Sequence, residues 1–180
     1  MRRSDLEHLI RAAGKIAGEH ELIIVGSQSV LGQFPDAPPV LLRSMEADLY
    51  PRSRPELADV VDGAIGEGSQ FHQTHGYYAQ GVGPDTATLP KGWQLRLVRI
   101  ENANTAGFTG LCLEVHDLAI SKYVAGREKD IEFTRELARH EMTDKETLLT
   151  RLAATRLEPA FSKLVKGRIE KDFARSREVR

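Results

Sequence analysis

Three features of this 180-residue chain predict an α/β fold, more fully an α+β arrangement of a small mixed β-sheet flanked by helices with a helical C-terminal part. The apolar run Leu22, Ile23, Ile24 and Val25 stops abruptly at Gly26, as a buried strand does. Two later stretches, around residues 46–50 and 93–100, alternate apolar and polar residues with the period of a strand. Helical spacing of apolar residues governs residues 4–18 and returns from residue 117 onward.

Taken in order, Ser4 and Glu7 form a predicted capping box with serine as the cap. Leu6, Leu9, Ile10, Ala13, Ile16 and Ala17 then make one buried stripe that ends near Gly18. The strand 22–25 follows, then a short helix from Ser27 to about Phe34, which Pro35, Pro38 and Pro39 terminate. The chain returns as a strand carrying Glu46 and Asp48 on one face, with Met45, Ala47 and Leu49 packed on the other. Pro55 opens a helix that turns Leu57, Val60, Val61 and Ile65 inward. Between Gly66 and Pro90 the pattern predicts one strand, from Tyr77 to Val82, and a turn rich in Gly, Pro and Thr. Strands are expected at 93–100 and 111–115, then helices at 117–125, 127–140, 144–154 and 158–176. Thr143 and Glu146 make a second capping box. The domain division expected is an α/β core over 1–115 and a helical region over 116–180 packed on it.

With 41% hydrophobic and 28% charged residues, the composition is that of a globular protein and not of a disordered one. A net charge of −1 supplies no global attraction to nucleic acid or to an anionic membrane, so any polyanion contact must be a local patch. No apolar stretch approaches the roughly 20 residues of a bilayer span. Met1, Arg2, Arg3, Ser4 and Asp5 lack the apolar core of a signal peptide, and Cys112 stands alone, which excludes an intrachain disulfide and a cysteine-based zinc cluster. The compartment these features predict is the cytoplasm.

The chemistry-bearing residues follow from that layout. Gly26 lets backbone come close to a ligand, Ser27 is expected to cap the helix beginning there, and helix-start N–H groups donate to phosphate oxygens. Glu46 and Asp48 on one strand face beside such a cradle are a means of holding Mg²⁺ with nucleotide phosphates. Each half also has a plainer reading: turn chemistry for Gly26 and Ser27, the solvated face of an edge strand for the carboxylates. Their order and spacing together favour the site. His72 and His75 lack the partners of a zinc site and read as loop residues. Tyr77 and Tyr78 read as strand packing before base stacking, and Trp93 as structural. The basic run from Lys163 through Arg168 and Lys171 to Arg175 and Arg177 reads as a solvated helix before an RNA patch.

Gly26-Ser27 followed by the Glu46/Asp48 strand resembles the nucleotidyltransferase superfamily, whose hallmark is Gly-Ser or Gly-Gly and then Asp-x-Asp on the next strand. His116, Asp117, Lys122, Arg127, Lys129 and Asp130 resemble the helical motif of its AbiEii-type toxin branch and of related bacterial nucleotidyltransferase-like proteins of the DUF6036 type. The resemblance implies a metal-dependent nucleotidyltransferase that moves a nucleoside monophosphate from an NTP to an unidentified acceptor, an RNA, a protein or a small molecule. It implies Mg²⁺ or Mn²⁺ on Glu46 and Asp48, and Gly26, Ser27, Lys122 and Arg127 at the nucleotide, with Asp48, Glu46 and Lys122 as the catalytic set. A toxin-type member would also have a protein partner such as an antitoxin. Two departures stand out: Glu46 replaces the first aspartate, and the strand expected to carry a third carboxylate, 93–100, offers Arg96 and Arg99, with Glu101 and Glu114 nearby. The alternative is therefore a catalytically weakened member that binds a nucleotide or a protein.

Overall fold

The apolar run that ends at Gly26 is the middle of a sheet. The structure is a computed structural model that describes residues 1–174 in full and the backbone of 175–178. The chain forms two compact units, Met1–Thr86 with Arg96–Glu114, and Ala87–Leu95 with Val115 onward.

In the first unit, α1 (Arg3–Ala17) leads into β1 (Glu21–Ile24), then a 3-10 turn (Ser27–Ser29) that continues as α2 (Val30–Gln33). β2 (Glu46–Pro51), α3 (Ala58–Ile65), α4 (Gln70–His75), β3 (Tyr78–Gly81), β4 (Val98–Ile100) and β5 (Thr109–Cys112) follow. The strand order is β3-β2-β1-β5-β4. β1 pairs antiparallel with β2 and parallel with β5; β2 pairs parallel with β3, and β4 antiparallel with β5. A central strand is covered on both faces, so Leu22, Ile23, Ile24 and Val25 are all buried, which is why the run is continuous and not alternating. α1 lies against β1, β2 and β5 and sinks Leu6, Leu9, Ile10 and Ala13 completely. These directions put the C-terminal ends of β1 and β5 and the N-terminal ends of β2 and β3 at one end of the sheet. Gly26, Glu46, Tyr78 and Glu114 therefore share that end.

Several local expectations shift. The α1 cap is Arg2, whose N–H donates to Asp5 Oδ2 at 2.7 Å, and Ser4 lies inside the helix. Met45 precedes β2 and is exposed, as is Val60 on α3. The strand expected at 93–100 is only β4; Trp93–Leu95 is a 3-10 turn and Leu95 is 92% exposed. Pairing of β5 begins earlier than expected, at Thr109, and Val115 already belongs to a helix. His72 and His75 sit on α4, a helix capped by Ser69, whose hydroxyl accepts from His72 N–H at 3.1 Å.

The second unit holds a 3-10 turn (Trp93–Leu95) and α5 (Val115–Ala125), α6 (Glu128–Arg139), α7 (Lys145–Ala153) and α8 (Pro159–Glu178). Lys91 N–H donates to Ala154 O at 2.9 Å and fastens the 87–95 segment to the end of α7. Leu118, Ile120, Tyr123, Leu137, Leu148, Val165 and Ile169 form its core. The α7 cap is Asp144, not Thr143: its carboxylate accepts from Thr147 N–H at 2.8 Å. Gly126, at φ +62°, closes α5 where a Cβ would collide with the Arg168 guanidinium. Arg168 donates to Tyr123 O at 2.5 Å, so this member of the basic run serves a helix end. Lys163, Lys166 and Lys171 are exposed, and the side chains of Arg175 and Arg177 lie outside the described residues. Among the described residues no helix is long and apolar enough to cross a membrane.

Candidate functional site

β2 reads residue by residue as a strand with one open face. Glu46 and Asp48 are half-buried, and Ala47 and Leu49 between and after them are fully buried. Their Cα atoms are about 6.6 Å apart along the strand, a span set by two residues of β rise. Val25 N–H donates to Asp48 O at 3.0 Å, which fixes Asp48 beside the end of β1. The Asp48 side chain then meets Gly26: a Cβ on that glycine would stand 2.7 Å from Asp48 Cγ. Gly26 is extended, at φ −79° and ψ −175°, so the missing side chain and not an unusual backbone angle is what this position requires. Two sequence-predicted site residues, Gly26 and Asp48, are thus in contact.

Ser27 is half-buried and follows directly. It is not a cap, because Gly26 occupies the cap position and Ser27 is the first residue of the 3-10 turn. The turn has three residues and α2 has four, so the dipole expected to draw a phosphate is that of barely two turns. The open N–H groups of the turn start remain as donors. Ser29, not Ser27, ties the turn to the sheet, through its hydroxyl to Ile24 O at 2.6 Å. Gln28 was not singled out from sequence. It is fully buried, its Nε2 lies 3.5 Å from Ser27 Oγ, and its Oε1 has no hydrogen-bond partner among the described residues.

The strand beside β2 on its outer side is β3. Register sets Tyr78 beside Glu46 and Gln80 beside Asp48, on the same face as the carboxylates. Tyr78 is 9% exposed and its hydroxyl donates to Glu46 Oε2 at 3.1 Å. Burial and the Glu46 carboxylate push the Tyr78 phenol up to about 12, so it is a donor at neutral pH. The segment 93–100, from which a third carboxylate was expected, supplies β4 at the far edge of the sheet, next to β5. Glu101 there is bound by Arg99 and by Thr109 Oγ1 at 3.1 Å, and it follows the opposite end of the sheet. Glu114 follows β5 at the Gly26 end.

Lys122 and Arg127 belong to the second unit, where both meet Asp130. Lys122 Nζ lies 3.6 Å and Arg127 Nε 2.7 Å from the Asp130 carboxylate, whose side chain is 2% exposed. Asp130 also accepts from Arg127 N–H at 3.3 Å, closing the first turn of α6. It is a buried anchor at the start of α6. Asp117 is likewise fully buried on α5, with Arg151 Nε 3.2 Å away.

His72 packs on the Tyr78 ring at 4.6 Å and accepts from Gly68 N–H at 3.0 Å. Tyr77 stands against His8 Nδ1 at 2.9 Å, in a ring cluster with Phe71 and His75. Among the described residues no three His, Cys, Asp or Glu side chains gather as metal ligands. A divalent ion bound with a nucleotide needs fewer: one or two carboxylates, with phosphate and water oxygens completing the shell. Glu46 and Asp48 are hard oxygen donors on one face, and Glu46 Oε1 takes no hydrogen bond among the described residues. With Asp48 set in the space left by Gly26, the donor set fits Mg²⁺ or Mn²⁺.

A family model described as a nucleotidyltransferase of unknown function (DUF6036) matches residues 4–172. No curated protein and no solved structure matches the chain.

Proposed function

The chain belongs to that family of nucleotidyltransferases of unknown function, and we propose that it binds an NTP with Mg²⁺ or Mn²⁺ at Glu46 and Asp48 and transfers the nucleoside monophosphate to an acceptor hydroxyl. The observation that carries this reading is the contact of Asp48 with Gly26, which sets a carboxylate against a backbone free of a side chain. When bound, the ion neutralises phosphate charge and orients the α-phosphate. The protein's own part is positioning. Asp48 and Glu46 hold the ion's side of the triphosphate, and the Gly26-Ser27 turn offers N–H groups and a hydroxyl to phosphate oxygens. Transfer forms a bond from the acceptor oxygen to the α-phosphorus and breaks the bond to the bridging oxygen. Pyrophosphate leaves with that electron pair, and the hydroxyl proton goes to water. The resemblance adds Lys122 and Arg127 for the triphosphate; Lys122→Ala tests that separately. An RNA end, a protein or a small molecule is the acceptor class, and a toxin-type role with an antitoxin partner goes with the first two.

A second reading is a module that binds nucleotide without turnover. It is favoured by the neutral Tyr78 and Gln80, which hold the β3 register positions beside the two carboxylates. Calorimetric titration of the four NTPs, with and without Mg²⁺, into wild type and Asp48→Asn tests both. Metal-dependent binding that Asp48→Asn abolishes is the expected result; unchanged affinity in the variant would remove the site. Labelled NTP then separates the readings, since only a transferase leaves label on an acceptor.

A further inference from the structure

Glu46 differs from the aspartate of the resembling motif by one methylene, and that methylene adds a rotatable bond. A ligand carboxylate that samples several rotamers loses affinity to the entropy of fixing it. The neighbouring strand carries a remedy. We infer that Tyr78 is a positioning residue for Glu46: its hydroxyl holds one carboxylate oxygen and leaves the other available to a cation. This rests on the metal·nucleotide reading of the β2 face.

The parallel register sets the two residues side by side, and the hydroxyl donates to Glu46 Oε2 at 3.1 Å while Oε1 stays without a partner among the described residues. Tyr78 is itself immobilised. Its N–H donates to Met45 O at 3.0 Å, its ring is buried, and His72 packs against it at 4.6 Å. His72 is oriented in turn by the Gly68 N–H. A phenol suits this task because it is neutral. An arginine at the same place would orient Glu46 equally well but cancel the charge a cation needs.

Tyr78→Phe keeps the ring and removes the donor. Titration of Mg²⁺·NTP should then show affinity about fivefold to tenfold weaker, with the thermal midpoint within a few degrees of wild type. The Glu46→Asp background supplies the readout that a structural role would not move. The shorter acid does not reach the hydroxyl, so there Tyr78→Phe should leave affinity unchanged. Equal weakening in both backgrounds, or none in either while Asp48→Asn abolishes binding, would overturn the positioning role alone. Binding that survives Asp48→Asn, or its absence from wild type, would overturn the β2 site and the role of Tyr78 with it.

Discussion

Glu7 and Glu46 are the same residue in two kinds of surroundings within one unit. Glu7, on α1, is 5% exposed and saturated: Arg3 Nε at 3.0 Å and Asn102 Nδ2 at 2.7 Å reach Oε1, and Asn104 Nδ2 at 2.8 Å reaches Oε2. Burial pushes its carboxyl up, but the bonds from Asn104, Asn102 and Arg3 outweigh it, and the group lies below its ordinary value. Glu46 is half-buried with one neutral donor and no cation among the described residues. A carboxylate with a structural task is desolvated and fully paired, because an unpaired buried charge is costly. One kept for a ligand must retain an open oxygen and its charge, and the fold gains little from it. Asp130, buried between Lys122 and Arg127, falls with Glu7 in this comparison.

The largest effect should therefore come from the glutamate whose oxygens the fold already fills. Glu7→Ala removes the acceptor of the Asn102 and Asn104 amides and of Arg3 Nε and should cost about 2–3 kcal/mol. Glu46→Ala should cost under about 1 kcal/mol. Urea denaturation of the pair checks this, and equal losses would erase the distinction.

Acid and alkali sharpen it. A carboxyl held below its unfolded value contributes stability that is present above that value and lost as pH falls through the folded one. Glu7 should thus steepen the loss of stability below pH 4.5, and Glu7→Gln should flatten that limb. All four tyrosines are raised above 10, chiefly by burial, and Tyr78 to about 12. A raised group contributes below its unfolded value and loses that contribution as pH climbs, so stability should fall from pH 10 toward 12. Tyr78→Phe should soften that alkaline loss, as denaturation midpoints across this range would show.

The smallest effect should be a gain. Gln28 hides an amide oxygen that has no partner among the described residues, so Gln28→Met should add about 1 kcal/mol, or roughly 2–4 °C in the melting midpoint. A loss would mean that the amide is satisfied in solution.

The distinction between the two glutamates was half visible in the sequence. Alternation alone placed Glu46 and Asp48 together on an open face, and the run 22–25 marked the central strand, because both signals are local. The long helices α5 to α8 followed from their spacing within a few residues. Glu7 was read only as half of a capping box, because its partners Asn102 and Asn104 lie 95 and 97 residues away. The link from Tyr78 to Glu46 depends on a strand register across 32 residues, which no window detects. α4 escaped because six polar and aromatic residues between glycines show no period. The supposed strand 93–100 failed at Pro90 and Gly92, which favour the 3-10 turn over a longer β4.

The most direct measurement is the shift in melting temperature that saturating Mg²⁺·NTP produces in wild type, Glu46→Gln and Glu7→Gln. A ligand at about 100 times its Kd adds roughly 2.7 kcal/mol to the folded state. Wild type should show a clear upward shift, Glu46→Gln none, and Glu7→Gln a full shift from a lower starting point. A full shift in Glu46→Gln would contradict the β2 site.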